Sequence, residues 1–199
     1  EIKWVAESSP TPIRVGTLFF GGGTPSLMTT RQISSILDAC SKYYQISHEV
    51  EITLEANPGT VNEKSLIEIR GLGVNRLSFG MQSAHPDDLR ILDRQHRHSD
   101  VIQAVHWSLK AGFDRINLDL IFGIPGQSLE RWERTLELAQ IEGVDHYSLY
   151  SLSVEEGTPL KHWIDRGLLN APDDDLAASM YETAMNVLDQ QGFKQYEIS

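Results

Sequence analysis

The chain has 199 residues, 40% of them apolar, which is enough for one sizeable core and too little for two ordinary domains. Its net charge of -11, with 17 scattered Lys and Arg, argues against a nucleic-acid footprint, and no apolar run approaches the roughly 18 residues of a membrane span. A single cysteine excludes an internal disulfide, and without a signal-peptide pattern a soluble, reducing, cytoplasmic setting is expected.

Glu1 opens the chain without a methionine, and EIKWVAES reads as the tail of an amphipathic helix, so a fragment is expected. Short apolar and β-branched runs at Val15–Phe20, Val50–Leu54, Arg76–Met81, Arg115–Phe122 and His146–Leu152 predict five strands. Helical spacing fills the intervals: Ile33, Ile36, Leu37 and Cys40; Leu66 and Ile69; Leu89 and Leu92; Val101, Val105 and Leu109; Trp132, Leu136 and Leu138. Asn62, Ser99 and Ser128 read as helix openers, and Gly73, Gly112 and Gly143 as closers. After the fifth strand come a loop containing Gly157, Pro159 and Pro172 and a last helix from about Asp174 to Gln191.

Alternating strands and helices with short connections predict a parallel sheet, either doubly wound or barrel-like. An open sheet covered by helices on both faces is apolar on both. Here each strand keeps one polar face: Glu51, Thr53 and Glu55 opposite Val50, Ile52 and Leu54; Ser78, Gly80 and Gln82 opposite Leu77, Phe79 and Met81; Asn117 and Asp119 opposite Leu118 and Leu120. The pattern predicts an α/β fold of the partial (β/α) barrel type, whose inner wall is reserved for a polar ligand.

Working residues of such a barrel sit where strands end. FFGGGTPS, residues 19–26, has neither GxGxxG spacing nor a following Gly-Lys-Ser/Thr, so it is no dinucleotide or phosphate loop. It is a bare backbone at the rim, read either as a tight turn or as a surface a ligand touches. Glu55, before Asn57-Pro58-Gly59, is either a solvated rim carboxylate or an acceptor for paired hydroxyls such as those of a ribose. Asp119, mid-strand on the inward face, needs a ligand, a hydrogen-bond network or a barrel arginine. Arg94 could grip a carboxylate but reads, on sequence alone, as a helix surface residue. His96 and His98 lie between helices, which suits a metal site poorly, and Cys40 falls on an apolar stripe as a small buried residue.

Taken in order, FFGGGTPS, TLEANPGT, NRLSFGMQS, NLDLIFGIPGQ and SLYSLSVEEGTPL resemble the radical S-adenosylmethionine (SAM) proteins of the oxygen-independent coproporphyrinogen III oxidase family over nearly the whole chain. Glu-Ala-Asn-Pro-Gly-Thr, Gln82-Ser83 and Pro-Gly-Gln are closer to its heme-chaperone branch. The resemblance implies a six-unit (β/α)6 partial barrel in which 1–199 is a single domain, truncated at its N-terminus, lacking its first unit and a C-terminal domain. That missing unit leads into the three cysteines that hold a [4Fe–4S] cluster, and none of them stands here.

By resemblance, Gly22, Gly23 and Thr24 contact the amino-acid end of SAM, Glu55 holds the ribose, and Gln82, Arg94 and Asp119 supply the other polar contacts. Ser151–Ser153 would line the same lumen. No catalytic residue and no metal ligand is assigned. The family implies SAM, a [4Fe–4S] cluster in the intact protein, and heme or a porphyrinogen as partner. The favoured reading is a heme chaperone that delivers to acceptor hemoproteins. The alternatives are the coproporphyrinogen III oxidase itself and, outside the family, a metal-dependent barrel hydrolase using His96, His98 and Asp119.

Overall fold

The computed structural model describes residues 1–198. A short helix α1 (Ile2–Ser8) precedes five strands, β1 (Arg14–Phe20), β2 (Gln45–Ala56), β3 (Arg76–Gln82), β4 (Ile116–Phe122) and β5 (His146–Ser151). Between them run α2 (Thr30–Tyr43), α3 (Glu63–Gly71), α4 (Pro86–Ile91), α5 (His98–Lys110) and α6 (Leu129–Leu138), and the last strand is followed by α7 (Pro159–Asp165) and α8 (Asp174–Gln190). All strands are parallel and each pairs with its neighbour in sequence, giving one curled sheet in the order β1-β2-β3-β4-β5. This is the partial barrel the strand pattern predicts.

Strand parity divides the sheet. Leu54, Leu77, Phe79, Met81, Leu118, Leu120 and Phe122 point outward and are buried beneath Ile33, Leu66, Val101, Val105, Trp132 and Leu136 of the helices. The opposite face carries the register neighbours Glu55 and Ser78, Ser78 and Asn117, Gly80 and Asp119, Asn117 and His146, and Asp119 and Ser148. Burying the apolar set stabilises the sheet at about 25 cal/mol per Å² removed from water, which leaves the inner wall free to be polar.

Several local expectations are corrected. β2 starts at Gln45 rather than Val50, because Gln45 and Ile46 already pair with Arg14 and Val15 before the register shifts. Ser99 lies inside α5, whose N-cap is Arg97; the Asp100 carboxylate accepts the Arg97 N–H at 2.7 Å and takes the capping role. Gly143 stands in the turn before β5, since α6 ends at Leu138; there it has φ +92° and Leu109 leaves no room for a Cβ. The stretch read as loop around Pro159 contains α7, opened by Thr158, whose Oγ accepts the Lys161 N–H, with Pro159 in the first turn. Asn62 and Ser128 cap as expected. Among the described residues, no helix is long and apolar enough to cross a membrane.

Candidate functional site

The C-terminal ends of the strands gather five of the seven candidate residues, and Asp119 stands at mid-strand on the same inner wall. Gly22 and Gly23 turn the chain out of β1 with φ +79° and +44°, and the space a Cβ would fill is open at both. Glu55, near the end of the adjacent β2, accepts the Gly22 N–H on Oε2 at 3.0 Å. At Gly21 a Cβ would meet the Phe19 ring at 2.5 Å and Glu55 Oε1 at 3.2 Å, so a side chain there would have to displace the exposed Phe19 ring, whereas Gly22 and Gly23 are set by conformation. Thr24 caps the 3₁₀ turn Pro25–Leu27, its carbonyl accepting the Leu27 N–H. The turn explains the glycines and also leaves their backbone uncovered.

Asp119 holds the middle of the inner wall. Its Oδ2 accepts from Ser78 Oγ at 3.0 Å and its Oδ1 from Asn117 Nδ2 at 2.8 Å. Asn117 Nδ2 also donates to Ser78 Oγ, so Asn117 Oδ1 is the acceptor that faces His146 Nδ1 at 2.6 Å. His146 therefore carries its proton on Nδ1 and accepts the Tyr196 hydroxyl on Nε2. Burial holds that imidazole below its ordinary range, with Arg76 acting in the same direction.

Among the described residues, no cation pairs with Asp119. The barrel arginines pair elsewhere, at the N-terminal end of the same wall: Arg76 lies 4.0 Å and Arg115 3.6 Å from Glu51, and Arg115 3.0 Å from Asp145. Burial pushes the Asp119 carboxyl above its ordinary value; the hydrogen bonds from Ser78, Asn117 and Ser148 oppose this and the nearby Glu55 adds to it. A carboxylate desolvated beside a second acid, with hydrogen-bond donors and no counter-ion, suits a cationic ligand.

Gln82 ends β3 with φ +63°, a conformation uncommon outside glycine that costs of order 1–3 kcal/mol. Ser83 N–H donates to Met81 O at 2.8 Å across it, closing a three-residue turn. The Gln82 carboxamide is buried and folds over Gly80, where a Cβ would stand only 2.6 Å from Nε2, on the strand position paired with Asp119.

Arg94 is set apart. It is exposed, follows Asp93 at φ +52°, and lines a cavity of about 490 Å³ with Pro86, Arg90, His96, Arg97 and His98, none of which is another candidate contact. The histidines are engaged by backbone: His96 Nε2 donates to Met81 O at 3.1 Å and His98 Nε2 to Leu138 O at 2.9 Å. No group of three or more His, Cys, Asp or Glu among the described residues could hold a metal ion. Cys40 is free and buried, and burial raises its thiol pKa. Among the described residues, the donors of this chain therefore do not fit a [4Fe–4S] cluster, whereas the rim offers open glycine backbone, the Glu55 carboxylate as an acceptor and the desolvated carboxylate of Asp119.

Some lumen residues, His146 among them, were not singled out from the sequence. Ser148 and Tyr150 share the inner face with Asp119, and burial together with the Asp119 carboxylate raises the Tyr150 phenol. Ser151, expected to line the lumen, pairs with Phe122 and shares its outward face. The alternation of HYSLYS, counted from His146, carries this parity.

The chain is similar to several known proteins. It is 41% identical over 186 residues to the radical S-adenosyl methionine domain-containing protein 1, mitochondrial, of Danio rerio, covering 94% of this chain and 42% of that protein. Heme chaperone HemW of Mycobacterium tuberculosis is 40% identical over 199 residues, covering 100% of this chain and 51% of the relative, and that of Bacillus subtilis 37% identical, covering 92% and 48%. The chain thus spans about half the length of these relatives. In fold it resembles coproporphyrinogen III oxidase (HemN) of Escherichia coli, with a TM-score of 0.77 at 24% identity over 91% of this chain and 42% of that one, and Elp3 of Methanocaldococcus infernus, with a TM-score of 0.73 at 22% identity over 92% and 47%. The radical SAM superfamily matches residues 2–139, more than half of the chain, and with the curled parallel sheet and its polar rim this establishes that the chain belongs to the radical SAM superfamily.

Proposed function

We propose that this chain forms the SAM-binding barrel of a heme chaperone, a protein that binds heme and passes it to acceptor hemoproteins. The observation that carries the chaperone reading is the 40% identity to a protein named heme chaperone HemW along all 199 residues, against 24% to the coproporphyrinogen III oxidase of the same fold. The oxidase is the second reading, favoured only by that likeness of fold.

Within the site, Gly22 to Thr24 offer backbone groups to the amino-acid end of SAM, Glu55 receives the ribose hydroxyls while bracing Gly22, and Gln82 and Asp119 address the remaining polar atoms. Arg94 reaches the ligand from the neighbouring cavity. Ser78 and Asn117 keep Asp119 aimed, and Phe19 and Tyr150 flank the mouth as apolar cover. When bound, SAM supplies a sulfonium with breakable C–S bonds; the protein's part is to orient it and exclude water. The cluster belongs to other residues of the intact protein. The cytoplasm is the proposed compartment, in keeping with the free thiol of Cys40.

The test uses the full-length gene product, reconstituted anaerobically with iron and sulfide and offered SAM with either coproporphyrinogen III or heme. Saturable heme binding without porphyrinogen turnover is the expected result. Formation of protoporphyrinogen would make the protein an oxidase and overturn the chaperone reading.

A further inference from the structure

The strained turn at Gln82 is braced by side chains outside the set of proposed SAM contacts. Asp88, fully buried in α4, accepts from Ser83 Oγ at 2.8 Å and Gln127 Nε2 at 3.0 Å on Oδ2, and from Arg131 at 3.0 Å on Oδ1. Because the Ser83 hydroxyl proton goes to Asp88, Thr135 Oγ1 donates to Ser83 Oγ at 3.3 Å and itself accepts the Ala84 N–H at 3.4 Å. The His85 N–H adds a third bond to Ser83 Oγ. On the other side of the turn, His96 is 5% exposed and donates Nε2–H to Met81 O, leaving Nδ1 as a buried nitrogen with no partner among the described residues.

These bonds do more than satisfy buried groups. A buried, unpartnered ring nitrogen is a cost that packing alone would remove by exchanging His for an apolar residue. Asp88 likewise joins three separate segments: the loop after β3 through Ser83, the loop after β4 through Gln127, and α6 through Arg131. All of it converges on the two peptides flanking Gln82, the residue whose backbone is in an unfavourable region and whose carboxamide reaches over Gly80 toward Asp119.

We infer that Asp88 and His96 are positioning residues for SAM recognition, holding the Gln82 turn from opposite sides, and that Gln127 of the Pro-Gly-Gln segment serves the ligand through Asp88. Ser83 is the link through which Asp88 acts. Through His96 the same brace fixes the Asp93–Arg97 segment, and hence Arg94, relative to Gln82. The inference rests on the reading of Gln82 as a SAM contact.

Isothermal titration of SAM into the anaerobically reconstituted full-length protein, with thermal melts of each variant, tests it. Asp88→Asn and His96→Leu should each weaken SAM binding roughly tenfold, and His96→Gln, which can again donate to Met81 O, should recover most of the loss. Ile69→Ala, a core truncation on α3, should lower the melting temperature at least as much and leave the affinity unchanged. Should Asp88→Asn fail to fold, Ser83→Ala removes the same hydroxyl link without altering charge and carries the same expectation. If Gln82→Ala loses affinity while the Asp88, Ser83 and His96 variants bind within about twofold of wild type, the brace is structural only and the inference is overturned. If Gln82→Ala binds as wild type, the reading of Gln82 falls and this inference with it.

Discussion

Asp119 shows what the site costs the fold. Its acid is held above the ordinary value of 3.8, so the folded state binds the proton more tightly than the unfolded chain and stability is lost as pH rises through the raised folded value. Asp119→Asn should therefore melt at a higher temperature than the wild type near pH 7. That advantage should shrink as the pH falls toward 4, and SAM affinity should drop roughly tenfold or more for loss of a charged partner. Melting curves across pH, with calorimetric titration, check both. Gly22→Ala should cost about 1 kcal/mol, since φ +79° is strained for any residue with a Cβ, and should weaken SAM by disturbing the Glu55 bond; urea denaturation measures the first effect. Asp119 and Glu55 were legible in the sequence because strand parity puts a polar residue inward at each; Gln82 lies past a register shift, opposite Leu120, and its side chain comes over Gly80 through the turn. The company Asp119 keeps was not: whether Arg76 and Arg115 pair with it or with Glu51 and Asp145 depends on the height each residue occupies along the wall, which only register decides.

Strands and helices followed from periodicity, since five apolar runs separated by helical stretches leave few ways to bury both sets. Boundaries were less legible, because caps compete: Ser99 is a good cap by type, yet Asp100 reaches the Arg97 N–H and starts α5 earlier. Among the helices, α6 and α8 are joined by a buried anchor. Trp132 is fully buried, donates Nε1–H to Met180 O at 2.8 Å and lies 5.7 Å from the Phe122 ring. Trp132→Ala should destabilise by about 3–5 kcal/mol, whereas Trp132→Phe, which keeps most of the packing, should cost roughly 1–3 kcal/mol through the lost hydrogen bond and residual gap. Hydrogen exchange should show α8 losing protection before β3 and β4 in the Ala variant; uniform loss across the sheet would mean that α8 does not open separately.

At the scale of the molecule, the described residues present a polar wall and no group of three or more His, Cys, Asp or Glu able to hold a metal ion, so Cys40→Ala in the reconstituted full-length protein should leave iron and sulfide content unchanged. A fall in iron would place Cys40 in metal binding. The two ends of the wall also differ in sign balance. At the N-terminal end the arginines are neutralised by Glu51 and Asp145, while at the open end Glu55 and Asp119 face the mouth unanswered, on a chain whose net charge is -11. The two carboxylates give the mouth an acidic character that favours the approach of positively charged groups, so raising ionic strength should slow the arrival of a cationic ligand more than its departure.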